Sequence, residues 1–513
     1  MRGNAFEMPP ASFTMGASWV TLTLSMCLFT IILFLVVRRG KCLYALRKVP
    51  YPPAAFPIIG NAYELCCSPE QAFKKMINWG KELGDMYLIW VGMRPFIFLY
   101  KAEAVQPLLS SSVHIDKSLE YEYLQPWLGS GLLTSTGEKW HSRRKLLTPT
   151  FHSGLLEVYF QTAIREAGIL ISCLRKEVGK SFDISPYVKR ATLDIICDSS
   201  MGCHINAQTD LKNEYVQAVD TLASISQRRF LNVWMSFDPI FKLTRWGKNH
   251  ERALRVVHGF VDKIIAGRKG QWQAKEKRNA EERVTKYQTL LDLLLDLSQN
   301  GDALTDEDIR NEVNTFMFAG HDTTATSVSW ILYALGRHPE YQEKILDEYY
   351  NVAGTNELEC DMLNKLTWLT ACIKESWRVY PVAPLIGRQI YKPINISGHD
   401  IPIGSTLLVN LFLLHRDPRY FPDPDSYRPE RFLPDGPKYP PFAFIPFSAG
   451  SRNCIGWRYA TMIVKVVIIF VLRNFHVESL DNENELRFTS ELVLHNANGL
   501  RLKITPREPK IVA

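Results

Sequence analysis

Cysteine is sparse and scattered. Ten thiols are spread over 513 residues, with no Cys-x-x-Cys pair and no histidines at zinc spacing, so neither a disulfide framework nor a zinc site is supported. Cys203 and His204 are adjacent, but neighbouring side chains point different ways, and the pair reads as structural. No internal repeat or low-complexity stretch follows the N-terminal region, and with 46% hydrophobic and 12% aromatic residues the chain is not disordered. That composition builds a core large enough to enclose a cofactor and a substrate cavity. No basic array carries a nucleic-acid motif, so no nucleic-acid partner is expected. The net charge of +7 is modest for this length and fits a basic docking face or a membrane surface better.

One long apolar run is present. Residues 17–37 contain no charge and are long enough to span a bilayer as a helix. Arg38, Arg39, Lys41, Arg47 and Lys48 follow it where a signal peptide would show small residues and a cleavage site, so the run predicts a retained anchor. Basic residues on its C-terminal side place the remainder in the cytosol. The expected organisation is a short luminal segment at 1–16, the anchor at 17–37, a basic and proline-rich connector at 38–60 and a catalytic domain at 61–513.

Local signals punctuate that domain. Ser68-Pro69 with Gln71 predicts a capped helix ending near Gly80 or Gly84. Met86 to Val91 and Phe96 to Tyr100 read as a strand pair turning at Gly92-Met-Arg-Pro95. The charge-dense stretch from Arg268 to Lys286 reads as a solvated loop with helix ends. Thr305-Asp-Glu-Asp308 opens a long helix that continues to Arg337, before His338-Pro339. Glu312, Phe316, Ala319, Gly320, Thr323 and Ser327 form one stripe along it. A mid-helix glycine costs about 1 kcal/mol relative to alanine, so Gly320 needs a reason. Thr323 can bond the Ala319 carbonyl and open the helix locally into a groove.

Near the C-terminus stands Phe447-Ser-Ala-Gly450-Ser-Arg452-Asn-Cys454-Ile-Gly456. Its cysteine precedes an apolar helix, whose free amides favour a thiolate. The two glycines suit close backbone approach to a flat object or a positive φ. This pattern resembles the haem-binding signature of the cytochrome P-450 monooxygenases. Phe316-Met-Phe-Ala-Gly-His-Asp-Thr-Thr324 and His415-Arg-Asp-Pro418 look like family 4, which includes fatty-acid ω-hydroxylases and many insect enzymes.

The resemblance implies a mainly α fold with a small β portion, an N-terminal transmembrane anchor, and a haem enclosed between the oxygen-groove helix and the cysteine loop. It implies haem b with Cys454 as the axial thiolate and iron ligand, the remaining haem contacts falling to Trp140, Arg144, Arg388, Phe447, Gly450, Arg452 and Gly456. Ala319, Gly320, Asp322 and Thr323 take the catalytic positions, the last two as a proton relay. Glu375, Arg378 and Arg431 lock the haem core structurally.

Family-4 enzymes commonly carry a glutamate, able to bond a haem methyl, where this chain has Ala319, so the haem is expected to be non-covalent. Implied partners are NADPH-cytochrome reductase, cytochrome b5, the endoplasmic reticulum membrane and a lipophilic substrate. Lys139, Arg143, Arg144, Lys145, Arg458 and Lys465 are candidates for the basic docking face. A peroxide-rearranging thiolate enzyme or a haem sensor is the alternative, since neither needs the acid–threonine pair.

Overall fold

The helix that opens the structure, α1 (Ala11–Leu46), contains a stretch, Trp19–Leu46, long and apolar enough to cross a membrane, with a mean hydropathy of 2.7 over its most apolar 18 residues. It continues past the expected span at 17–37 into the basic part of the expected connector. Its end is docked: Leu46 is buried, and the Arg39 guanidinium lies 5.1 Å over the Trp90 ring and donates to the Phe56 carbonyl at 3.3 Å. That packing accounts for the longer helix. The computed structural model describes residues 11–53, 56, 59–151, 153–210, 213–278, 289–299, 304–354 and 356–508, so most of the expected luminal segment lies outside them.

Helices carry the rest of the architecture. α2 (Pro69–Leu83) begins as the sequence predicts, with Ser68 Oγ accepting from the Gln71 amide at 3.2 Å. The helices that shape the interior are α3 (Gly137–Leu147), α4 (Ser185–Ile196), α5 (Tyr215–Leu231), α6 (Arg245–Arg278), α7 (Asp306–Arg337), α8 (Thr367–Val379) and α9 (Trp457–Asn474). α6 runs unbroken through Arg278, so the charged stretch read as a loop begins as helix. Its remainder falls outside the described residues.

Short strands complete the chain: β1 (Met86–Val91), β2 (Arg94–Leu99), β3 (Ser181–Asp183), β4 (Leu385–Gln389), β5 (Ile394–Ile396), β6 (His399–Ile401), β7 (Thr406–Asn410), β8 (Phe475–Ser479), β9 (Phe488–Glu491), β10 (Val493–Asn496) and β11 (Arg501–Pro506). The expected β1–β2 hairpin pairs Met86 with Leu99 and Val91 with Arg94, and Gly92 takes the positive φ of its turn at +62°. β7 adds to it in parallel and β4 closes the sheet in the order β1-β2-β7-β4.

α7 is the axle. Thr305 Oγ1 accepts from the Asp308 amide at 3.1 Å while Asp308 Oδ2 accepts from the Thr305 amide at 3.2 Å, the capping box read from the sequence. Packed against α4, α6, α8, α9 and β8, α7 is buried along almost its whole length. A helix so enclosed needs apolar residues on every side. Its polar residues therefore need specific partners.

Candidate functional site

A cavity of about 420 Å³ lies between α7 and the Cys454 loop. From α7 it takes Thr315, Phe316, Phe318, Ala319, Gly320, Thr323, Thr324 and Ser327; from the loop, Phe447, Arg452, Cys454 and Gly456. The Thr323 hydroxyl donates to the Ala319 carbonyl at 2.6 Å, the bond that the pattern predicts, and α7 stays a continuous helix through this point. Ser327 accepts from Trp377 Nε1 of α8 at 2.6 Å, and Trp377 meets Phe447 edge-on at 4.9 Å between centroids. The long helix and the loop are tied together through that tryptophan.

The cysteine loop holds its sulfur open to the cavity. The Cys454 amide donates to the Phe447 carbonyl at 2.9 Å, and α9 starts three residues after the thiol. Burial pushes the thiol up, while the Gly456 amide, Arg144 and Lys117 pull it down. The two glycines differ from each other, and Gly450 takes the positive φ that the sequence reading allowed for. Gly450 has φ +71°, and a Cβ there would lie 1.7 Å from the Leu109 carbonyl oxygen, so it is the protein's own backbone that demands glycine. Gly456, at φ −93°, meets nothing nearer than Phe151 Cε1 at 3.7 Å.

Gly320 has a second reason to be small. A Cβ there would come within 2.6 Å of Ile196 Cδ1, because α4 crosses α7 at this point. The groove is bounded by α4 as well as open to the cavity.

Cations gather along one wall. Arg452 is buried, its Cζ 4.6 Å over the Trp140 ring, and its Nε and Nη1 have no partner. Burial, with Arg388 nearby, pushes Arg452 down to about 9. Arg388 is buried with Nη1 on the Gly387 carbonyl at 3.0 Å. Lys117, 4.8 Å above the Tyr121 ring, is pushed well below the usual lysine range by burial and then by Arg388 and Arg452. Orphaned guanidinium nitrogens beside other cations call for an anion. The paired carboxylates of a haem, with Cys454 facing the same space, fit this wall. Lys117 and Tyr121 carried no local motif in the sequence. Arg144 also lines the cavity, but it donates to the Asn453 carbonyl and Oδ1 at 2.7 Å each, which places it as a brace of the cysteine loop.

Three sequence candidates sit apart from the cavity or the surface that the sequence reading gave them: Asp322 of the relay, Glu312 of the stripe and Lys465 of the docking face. Asp322 is buried and off the cavity wall, 3.1 Å from Lys189 of α4, which also pairs with Asp220 of α5. Burial alone would raise the Asp322 carboxyl, but Lys189, His495 and His321 together hold it below the usual range. Glu312 turns from the stripe to accept from the Leu132 amide at 3.0 Å, with Arg143 at 3.9 Å. Lys465 is 6% exposed and donates to the Leu363 carbonyl at 2.7 Å, so it does not belong to a docking face. Lys139 and Arg143 pair with Asp308 at 2.9 and 3.1 Å, whereas Lys145 and Arg458 are exposed.

Burial pushes the Glu312 carboxyl up to about 7 against the Leu132 amide and Arg143. A carboxyl raised by folding lends its stability at low pH and loses it as pH rises from the ordinary 4.5 toward 7. The difference is on the order of 3 kcal/mol. Thermal midpoints of wild type and Glu312→Gln at pH 5 and pH 7.5 test this: the wild type falls relative to the variant at the higher pH, and parallel profiles would refute the assignment.

Below the cavity Glu375, Arg378 and Arg431 meet as expected. Arg378 Nε and Nη2 donate to Glu375 Oε2 and Oε1 at 2.8 and 2.7 Å, and Arg431 Nε stands 3.4 Å from Glu375 Oε1. Arg378 also donates to the carbonyls of His415, Pro424 and Ser426, and Arg431 to those of Pro422 and Asp423. Two buried arginines thus pin the irregular stretch that leads to the cysteine loop.

Comparison with known proteins agrees with this geometry. The Cytochrome P450 family model matches residues 50–504. The chain is 41% identical to cytochrome P450 4c3 of Drosophila melanogaster over 96% of both chains. It is 39% identical to cytochrome P450 4V2 of Homo sapiens over 90% of each, and 35% identical to cytochrome P450 4c21 of Blattella germanica over 95% of this chain and 99% of that one.

Proposed function

The chain belongs to the cytochrome P450 family, whose members are haem-thiolate monooxygenases, and we propose that it takes electrons from NADPH through a reductase to oxidise a lipophilic substrate: a fatty acid, a terpenoid or a foreign compound. The single observation that carries this is the apolar cavity with Cys454 on one face and the hydrogen-bonded Thr323–Ala319 pair on another. Bound haem supplies the activation of dioxygen and the transfer of one of its atoms to carbon.

The chain's own residues do the rest. Cys454 offers the thiolate. Lys117 and Arg452, with Arg388 close behind them, would hold the propionates of a bound haem, with Trp140 under the Arg452 guanidinium. Thr323 presents a hydroxyl on the cavity wall, and Asp322, one residue back and held by Lys189, supplies a carboxylate that exchanges protons. Ala319 has no carboxylate, so haem is held without an ester bond there. Phe316, Phe318, Leu132 and Leu385 line the apolar space and exclude water from it.

α1 anchors the enzyme in the endoplasmic reticulum, with the basic residues at its C-terminal end and the catalytic domain on the cytosolic side. Exposed Lys145 and Arg458 contribute to a reductase-docking face, which cytochrome b5 shares.

One observation favours a second reading. Asp322 faces Lys189 instead of the cavity, and a thiolate enzyme that rearranges peroxides needs no carboxylate there. Purified protein with reductase, NADPH and a panel of fatty acids and terpenoids separates the two. Oxygenated product and a thiolate-type carbon monoxide spectrum are expected. That spectrum without NADPH-dependent product, joined by turnover of lipid peroxides, would select the rearrangement.

A further inference from the structure

The end of the cavity built by α5 carries a polar group that the monooxygenase chemistry does not use. Gln227 lines the cavity beside Ser226 and Phe230, is 6% exposed, and its Oε1 is buried without a partner. A buried carbonyl oxygen left without a donor costs about 1–3 kcal/mol. Ser490 of β9 lines the same cavity, and β9 packs against α5. Neutral polar side chains therefore cluster on an otherwise apolar wall.

Among the described residues, those of α5 and β9 that line the cavity carry no charge. The cations that line the cavity are Lys117, Arg144 and Arg452, and the first and last belong to the wall that suits the propionates. Glu120, the one lining carboxylate, is paired with Arg94 at 2.8 Å. The arginines next to Gln227 are turned elsewhere: Arg228 stacks 4.4 Å over Trp246, and Arg229 lies 4.2 Å over Phe241 and bonds Asp238. A free carboxylate beside Gln227 would be stripped of water with no counter-charge, which costs far more than burying a neutral hydroxyl that finds an acceptor.

We propose that Gln227 is a specificity-determining residue that accepts a hydrogen bond from the neutral head of a lipid bearing a hydroxyl or amide N–H. The inference rests on the reading of the chain as a haem-thiolate monooxygenase and names its substrate class. With the head at Gln227, the apolar body lies along Phe230, Ile386 and Leu408 toward Ala319 and Cys454. Oxidation then falls on carbon remote from the head. Free fatty acids are the poorer ligands.

The test uses the full-length holoenzyme and equilibrium dialysis of four radiolabelled probes of equal chain length: a long-chain alcohol, its methyl ether, the corresponding amide and the corresponding acid. In the wild type, the alcohol and amide bind about tenfold more tightly than the ether, the size of one hydrogen bond, and more tightly than the acid. Gln227→Leu removes the preference over the ether, and Gln227→Asn weakens it, with affinity for the ether unchanged. The wild-type comparison stands without either variant. Equal binding of alcohol, ether and acid, or a preference that survives Gln227→Leu, overturns the proposal. If either result comes from protein with a normal thiolate-type carbon monoxide spectrum, the substrate assignment alone fails; absence of that spectrum fails the functional reading beneath it.

Discussion

Glu375→Ala will give a chain that accumulates little or no haem-loaded protein. The substitution removes the carboxylate that Arg378 grips in bidentate fashion, and both residues are fully buried. It also leaves Arg431 and the Arg428 amide, which donates to Glu375 Oε1 at 2.7 Å, without their acceptor. Breaking a buried pair by removing one partner costs about 3–5 kcal/mol, because an uncompensated charge stays behind. Against a total stability of about 5–15 kcal/mol this is decisive. The damage spreads along the chain, since the same two arginines hold five carbonyls between His415 and Ser426. Carbon monoxide spectra and thermal midpoints check it: a fully loaded Glu375→Ala protein melting within about 2 °C of wild type would show that the cluster carries no such weight.

Gly450→Ala is expected to cost the thiolate signature while leaving the distant helices folded. The backbone at φ +71° already disfavours an L side chain, by about 1–2 kcal/mol. The clash is worse, because the new methyl would meet the Leu109 carbonyl oxygen at 1.7 Å. A main-chain carbonyl cannot swing aside as a side-chain tip can, so the loop must lift. Asn453 and Cys454 are fixed to it by the Asn453 amide on the Gly450 carbonyl at 3.1 Å and the Cys454 amide on the Phe447 carbonyl at 2.9 Å. The sulfur moves with them. The expected result is near-native circular dichroism with several-fold lower haem content and a carbon monoxide band away from the thiolate position. An unchanged band at full occupancy would mean that the loop has slack.

Features that rest on local chemistry were legible in the sequence. The Thr305–Asp308 box, the Ser68 cap, the β1–β2 turn and the Thr323–Ala319 bond each depend on residues a few positions apart, where spacing alone dictates geometry. The cluster of Glu375, Arg378 and Arg431 spans a longer stretch and was reached through the family pattern. What stayed hidden depends on helices that meet only in the fold. Lys189 and Asp322 are far apart in sequence, and nothing in the pattern of α4 marks its lysine as inward-facing. Lys117 lies in an irregular segment with no periodicity to read. Lys465 looked like a surface cation on an apolar helix until the Leu363 carbonyl gave it a buried partner. The helical continuation of α1 past residue 37 was not legible either, because it depends on Arg39 finding a tryptophan ring far along the chain to lie on.

The wall of Lys117, Arg388 and Arg452 has a consequence in time. Like charges held side by side in a low-dielectric recess project a field well beyond contact, and a wall that holds the propionates as proposed would draw in a porphyrin dicarboxylate faster than diffusion alone. At about 0.1 M salt that reach shrinks to roughly 10 Å, and capture slows. Escape obeys different physics, since leaving means re-exposing a large flat apolar face to water and breaking the bond to Cys454, neither of which dissolved ions screen. Cofactor loading is therefore fast to form and slow to reverse, with salt acting on the first half of that asymmetry.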